Sequence, residues 1–388
     1  MIRAKTKRGV LLCLPLWVAL CLMLPITAQA AEATEQSDTM PSEYHAWIDS
    51  LPPELFSLVP QELFSNDMED VGHAVEEMSD FSYLLRTLGS LIGAEIDGCV
   101  RVLASVCGLL LLSAVFSALE SSFRSAGIKR AFGFCTALII TLSLLAESSF
   151  CLEEVSRYFH NLNALTATFL PLNGALYAMG GNTGTAVASS AGLSVYMTVM
   201  EELIGKTILP FCGICMALAL MGSIDSSLRT SGLLGTVKKN YTTALSFLMM
   251  LLLAMLAAQN TLGTRSDTLA MRSLKFAAGS WIPVVGGSVA EVLRTVSAGM
   301  GYLRGAVGIC GVLLVLLLLL PTLVKLFLLR LTWQLCASAA DLLGCDREKK
   351  LLEEFASILG YLIAAVSICS SVLLLSMILL ARCASAIG

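Results

Sequence analysis

Charged residues are scarce in this chain of 388 residues, and long runs of apolar residues take their place. Asp, Glu, Lys and Arg make up 14% of the sequence, apolar residues make up 56%, and the mean hydropathy is +0.79. Soluble globular proteins carry about 25% charged residues, so the composition excludes an ordinary soluble enzyme and a disordered chain. The absence of a basic stripe with interleaved aromatics excludes a nucleic-acid binder. The balance is typical of a polytopic membrane protein.

Recognisable catalytic and metal-binding motifs are also missing. The three histidines, His45, His73 and His160, stand far apart, and no Cys/His cluster has zinc spacing. The sequence contains no Walker loop, dinucleotide fingerprint, Gly-x-Ser-x-Gly elbow or metalloprotease motif. We therefore predict no enzyme activity, no catalytic or metal-ligating residues and no cofactor. Any active movement of a solute would need an ATPase on another subunit.

The N-terminal quarter divides into two parts of opposite charge. Residues 1–30 have four cations, an apolar run and Ala28-Gln29-Ala30, which predicts a secretory signal peptide. An uncleaved first membrane helix is the alternative. Residues 31–97 carry fifteen acids and one cation. We predict a small helical, acidic extracytoplasmic region there, and an unstructured acidic leader is the alternative. Its candidate partner-facing acids are Glu69, Asp70, Glu76 and Glu77.

Six later segments are apolar over the ~20 residues that a membrane-spanning helix needs. The fold class predicted is therefore all-α, a polytopic protein of repeated helical hairpins with Gly/Pro-rich connectors. The turn 118–127 resembles the turn 223–232 at every position, which indicates duplication of a helical unit. Chance similarity among apolar segments is the alternative. The six segments are 98–119, 131–152, 207–224, 241–258, 306–329 and 357–381. The predicted units are hairpin 1 (98–152), a connector (153–206), hairpin 2 (207–258), a connector (259–305) and hairpin 3 (306–388).

The charges of the hairpin turns predict an orientation. Each turn carries three cations, and short basic loops stay in the cytoplasm. The signal peptide delivers residues 31–97 to the other side, so both arguments agree. The connector 259–305 carries more cations than an outside loop should. The turn cations are Arg124, Lys129 and Arg130, then Arg229, Lys238 and Lys239, then Arg347, Lys349 and Lys350.

The two connectors are semi-apolar and rich in small residues and glycine. Irregular backbone at membrane depth occurs only inside protein or beside a water-filled cavity, and paired Gly/Pro-interrupted segments are typical of transport sites. Small residues also let helices pack closely, and close packing is the alternative reading. The candidates for a conduit or gate lining are Pro171, Asn173, Gly174, Gly180, Gly181, Pro283, Gly286 and Gly287.

Four ionisable residues within or near the predicted spans are candidates for intramembrane function. Glu147 lies in the second span and Lys325 near the end of the fifth. Glu202 and Lys206 precede the third span with the spacing that pairs side chains on one helix face. The alternative for Lys325 is a lysine that extends to the membrane interface.

Signal peptide, acidic segment and repeated hairpins occur together with the stretch Phe169-Leu-Pro-Leu-Asn-Gly-Ala-Leu-Tyr-Ala-Met-Gly-Gly181. This combination resembles the stage III sporulation protein AE family of endospore-forming bacteria over essentially the whole chain. The resemblance implies a multi-pass protein of the mother-cell membrane around the forespore. It also implies partners: other proteins of the sporulation stage III A complex, an ATPase subunit among them, and forespore stage II sporulation protein Q.

The function that the resemblance implies is a membrane platform or export gate in a secretion-like complex that joins the two cells. A homo-oligomer is compatible with this role. Two alternatives stay open: a non-conducting scaffold that anchors partner proteins, and a stand-alone secondary transporter.

Overall fold

A computed structural model describes the backbone of most of the chain beyond residue 41. The described residues are 42–56, 59–120, 126–179, 183–224, 232, 234–248, 250–252, 254–255, 258 and 286–385. The predicted signal peptide, most of the connector 259–305, half of the turn 118–127 and most of the turn 223–232 lie outside them. Signal peptide and turn repeat therefore stay predictions.

Almost every described residue is helical, as the apolar runs predict. A short 3₁₀ turn, Gln61–Phe64, and a π-helical turn, Ile204–Ile208, interrupt the α-helices. The α-helices are α1 (Ser42–Ile48), α2 (Pro53–Phe56), α3 (Met68–Ser79), α4 (Phe81–Glu120), α5 (Ala126–Met179), α6 (Thr183–Leu203), α7 (Leu209–Ile224), α8 (234–248), α9 (Gly286–Leu342) and α10 (Asp346–Ser385).

Three described helical segments are long and apolar enough to cross a membrane: Ser82–Val115, Gly305–Leu342 and Asp346–Ile378. Lys206–Ala219 is a shorter apolar helix. Their neighbours differ, because α10 packs against α9, α7 and α5, whereas α4 packs mainly along α9 and α5. From Glu354 to residue 378, α10 has no exposed residue. The core of the bundle therefore lies along α9 and α10.

The described helix ends that adjoin the basic turns gather at one end of the bundle, which we call the turn end. Ser113, near the end of α4, donates to Glu348 at the start of α10 over 2.9 Å. Lys238, early in α8, pairs with Glu354 of α10 at 2.5 Å. The α9–α10 turn closes with Gly344 at φ +73°, a conformation that favours glycine.

The first connector is largely helical in the structure. Helix α5 runs for 54 residues and continues through Pro171, and α6 follows after a short gap. Proline removes one helical hydrogen bond, but Pro171 lies on the exposed face while Phe169, Leu172 and Leu176 beside it are buried. Packing of that apolar face keeps the segment helical through a sequence that predicted an interruption.

Candidate functional site

Three long helices meet at a cluster of charges, which we call the Lys325 node (Lys325, Glu154 and Glu95). The Lys325 ammonium of α9 lies 3.4 Å from a carboxylate oxygen of Glu154 on α5. It lies 3.9 Å from a carboxylate oxygen of Glu95 on α4. Side-chain exposure is 21% for Lys325, 19% for Glu154 and 37% for Glu95. The node is thus a partly buried ion cluster that ties α4, α5 and α9 together at one level.

Two neighbours on α5 extend the Lys325 node. The Lys325 ammonium lies 4.4 Å from the centre of the Phe150 ring, a cation–π geometry. Arg157 forms an ion pair with Glu154 one turn along the helix. Glu154 therefore shares its charge between two cations. Of the two acids in the Lys325 node, Glu154 is thus the one that pairs with two cations.

The sequence predicted one of the node's three members. Lys325 was a candidate, but Glu95 and Glu154 were not, because their pairing joins residues far apart in the chain. The position of the two acids could have indicated them. Glu95 lies just before the apolar segment 98–119, and Glu154 lies just after the apolar segment 131–152. The side chain of Glu147 is outside the described side chains, although its backbone lies within α5. Its predicted role stays a prediction.

A second, deeper ion pair lies near the turn end. The Lys238 side chain is 5% exposed and the Glu354 side chain 36% exposed. The pair joins α8 to α10, and Phe211 of α7 stacks on Tyr241 of α8 beside it with ring centres 3.8 Å apart. This interaction holds the second hairpin against the third. By contrast Glu202 and Lys206 pair at 2.7 Å on an exposed surface, with the spacing that the sequence indicated.

The structure separates the predicted conduit residues on α5. Asn173 is buried, and its amide donates to the Ser189 hydroxyl of α6 over 2.8 Å. Gly174 faces Ser190, since an added Cβ would lie 3.5 Å from the Ser190 Oγ. Pro171 lies exposed on another face. Asn173 and Gly174 thus belong to the α5–α6 contact, which Pro171 does not join.

The other conduit candidates are less fully described. Gly180, Gly181 and Pro283 lie outside the described residues, while Gly286 and Gly287 begin α9. The structure therefore brings no water-filled lining together from the described candidates. A lining role for these residues stays a prediction.

The N-terminal residues 42–80 form a small lobe that docks on the far end of the bundle from the turns. Trp47 is fully buried, and its ring centre lies 5.4 Å from that of Phe169 on α5. The Ser50 and Thr168 hydroxyls hydrogen-bond at 2.7 Å. Tyr44 donates to the Leu63 carbonyl over 3.0 Å. Burial, and then the nearby Cys310, raise the pKa of Tyr44, so it stays a neutral donor.

Helix α3 presents the acids of this lobe to solvent. Asp67 caps the helix by accepting from the Glu69 backbone N–H, and Glu69 and Asp70 in the first turn suit the helix dipole. Val71, Val75 and Met78 are buried, as their helical spacing predicted. The opposite face exposes all four predicted partner-facing acids. These are Glu69, Asp70, Glu76 and Glu77.

Within the described residues, no three His, Cys, Asp or Glu side chains come together in a way that could hold a metal ion. The ten cysteines whose side chains the structure describes form no disulfide bond with one another. What the geometry offers is charge pairing between helices and an acidic surface.

Comparison with known proteins gives one family and one relative. The family model described as Stage III sporulation protein AE matches residues 66–385. A protein of Bacillus subtilis (strain 168) named Stage III sporulation protein AE is 20% identical over 293 residues, which cover 76% of this chain and 73% of the relative. No solved structure matches at a significant level.

Proposed function

Because the chain belongs to the stage III sporulation protein AE family, we propose that it is an integral membrane subunit of the transport complex joining mother cell and forespore. In this role it is a membrane platform or export gate in the mother-cell membrane around the forespore. The observation that carries the proposal is the combination of three apolar helices long enough to span a membrane with a docked acidic lobe. The apolar helices anchor the chain in the membrane, and the acidic lobe offers a surface to partners.

The proposed orientation puts the turn end in the cytoplasm and the lobe in the space between the two membranes. The turn end carries cations on all three turns, which the positive-inside rule favours in the cytoplasm. The lobe lies at the opposite end, beside Phe169. The acids of α3 then face the forespore. Forespore stage II sporulation protein Q and the extracytoplasmic parts of other stage III A proteins are the proposed partners.

The proposed energy source is another subunit. The sequence holds no Walker loop, so an ATPase of the same complex would act from the cytoplasmic side, at or near the turn end. We propose no catalytic role for this chain.

Charge neutralisation on α3 tests the partner role. The variant Glu69→Gln, Asp70→Asn, Glu76→Gln, Glu77→Gln keeps the side-chain sizes and the buried face of the helix. We expect it to insert in the membrane normally but to lose co-purification with its partners and to block sporulation. A control variant, Glu153→Gln with Glu353→Gln, removes two exposed acids elsewhere and should keep both co-purification and sporulation. Normal co-purification of the α3 variant would contradict the role proposed for the lobe.

A non-conducting scaffold is the second candidate, and the Asn173–Ser189 contact favours it. Both side chains are buried and satisfy each other, which is typical of packed helices. A secondary transporter would need a charged pathway across the membrane, and the described charges gather instead at separate levels.

Cysteine accessibility separates gate from scaffold. Single cysteines at Asn173, Gly174, Val284 and Gly286 would be probed with a membrane-impermeant thiol reagent, with and without the partner proteins. A gate predicts labelling that changes when the partners are present. A scaffold predicts protection at Asn173 in both conditions, alongside normal labelling at control positions in the hairpin turns.

A further inference from the structure

We infer that the bilayer covers only the half of the bundle nearest the turns, and that its far surface crosses the helices at the Lys325 node. On this view residues 306–324 of α9, the most apolar run of the chain, form the core of a head outside the membrane. The inference rests on the membrane placement within the proposed function and is independent of transport.

The exposed face of α5 changes character at the node. Among the side chains described before Glu153, the large exposed ones are apolar, with Ile139, Leu142 and Phe150 each about half exposed. From Glu153 to residue 178, every exposed residue is charged, polar or small. These residues are Glu153, Arg157, His160, Ala164, Ala167, Pro171 and Ala178. A helix that left the hydrocarbon near Glu153 would show this change, since exposed charges in lipid are costly.

The exposed face of α9 changes at the same level. Between residues 305 and 326 no side chain of α9 is exposed. Beyond Lys325 an apolar stripe appears, in which Phe327, Leu331 and Leu335 are each more than 40% exposed at intervals of one turn. Among the described side chains of α9, exposed apolar ones therefore lie only on the turn side of the node.

The acidic lobe covers α9 above the node. Tyr44 of the lobe lies beside Cys310 of α9, and α3 packs along the same helix. The other face of α3 carries four exposed acids. A layer that exposes carboxylates cannot lie in hydrocarbon. The apolar run beneath it is therefore buried by protein.

A fourth helix places charges at the same level. The Tyr158 and Ser370 hydroxyls hydrogen-bond at 2.5 Å, and Tyr196 of α6 donates to the neighbouring Cys369 carbonyl. Glu154 lies one turn toward the turn end from Tyr158. Glu202 lies about two turns toward it from Tyr196. The exposed Glu202–Lys206 pair thus lies close to the level of the node.

The remaining length of α9 fits a bilayer. From Lys325 to Leu342 the helix rises about 26 Å at ~1.5 Å per residue, close to the ~30 Å of a hydrocarbon core. The Phe150 ring beside Lys325 suits an interface, where aromatics and lysines gather. The exposed charges Arg347, Lys350 and Glu353 of α10 lie beside the last turns of this length, so those turns lie among the headgroups rather than in hydrocarbon.

Two alanines of α5 provide a matched test. Ala146 and Ala164 are both exposed and stand five full turns apart, so they share one face about 27 Å from each other. Ala146→Cys and Ala164→Cys would each be made in the full chain and treated with an impermeant maleimide, in membranes without partner proteins. The parent chain gives the background from native cysteines, and treatment in SDS verifies that each new thiol can react.

We expect Ala164→Cys to react in intact membranes at least ten times faster than Ala146→Cys. Protection of both thiols until SDS is added would overturn the inference, because the bilayer would then extend past Ala164. Reaction of both would overturn it too, because the bilayer would then lie elsewhere. The side from which Ala164→Cys reacts tests the orientation separately, so the boundary and the proposed orientation can fail independently.

Discussion

Helices α4 and α10 are both long and apolar enough to span a membrane, yet their surroundings differ. In the most apolar window of α4, 17% of the residues are buried within the protein, against 72% in α10. Helix α4 exposes Val100, Leu111 and Val115, each more than half. Helix α10 has no exposed residue between Glu354 and residue 378. One apolar composition therefore occurs in two environments: most of the apolar surface of α4 faces away from the protein, whereas other helices cover that of α10.

The difference shows what hydropathy measures. An apolar side chain leaves water equally well for lipid or for a packed core, so a long apolar run does not by itself locate the bilayer. Substitutions that change the volume of a side chain distinguish the two environments. Fluid lipid chains adjust to the new volume, whereas closely packed protein neighbours leave a cavity or clash with the new side chain. Matched substitutions on the two helices exploit this distinction.

The largest expected difference comes from removing the same side chain on both helices. Leu362 of α10 is fully buried, and Leu111 of α4 is 55% exposed. Leu362→Ala leaves a cavity and should lower the free energy of unfolding by about 2–5 kcal/mol. Leu111→Ala should change it by less than about 0.5 kcal/mol. Thermal unfolding in lipid nanodiscs measures both, and equal losses would break the comparison.

The ion pair that holds α8 against α10 should show the next largest effect. Lys238→Ala leaves the Glu354 carboxylate without its partner, and we expect a loss of about 1–3 kcal/mol, because Glu354 keeps some access to solvent. Lys206→Ala breaks an exposed pair and should cost at most about 1 kcal/mol. The same unfolding assay compares them. A larger loss for Lys206→Ala would contradict the packing described for α10.

Replacing a glycine in each environment sharpens the comparison further, because the two changes in the free energy of unfolding should differ in sign. A Cβ at Gly311 of α9 would lie 2.8 Å from the Met377 sulfur of α10, so Gly311→Ala forces that side chain to move. We expect a loss of about 1 kcal/mol. A Cβ at Gly108 of α4 meets nothing within 4 Å, and Gly108→Ala should gain roughly 0.5–1 kcal/mol of helix propensity. Melting temperatures that shift the same way would argue against the difference.

Part of this architecture follows from local sequence. The apolar runs predicted the long helices, and spacing placed Val71, Val75 and Met78 on the buried face of α3. The i, i+4 spacing of Glu202 and Lys206 indicated a pair that the structure shows. Such features depend on neighbours within two turns, which a sequence records directly.

The remainder depends on contacts between distant residues. Glu95, Glu154 and Lys325 meet only because three helices pack together, and Lys238 is buried only because α10 lies beside it. The sequence around Pro171 predicted an interrupted connector, but packing of Phe169 and Leu172 keeps α5 helical there. Helical periodicity identifies an apolar face without saying whether lipid or protein covers it.

The most direct test is photolabelling of the native chain by a hydrophobic diazirine probe dissolved in the bilayer. Peptides from α4 and from α10 would be separated after digestion, and the label on each quantified by mass spectrometry. We predict dense labelling over residues 98–115 of α4 and almost none over residues 356–366 of α10, the part of that helix on the turn side of the Lys325 node. Equal labelling of the two segments would contradict the claim that protein, rather than lipid, surrounds α10.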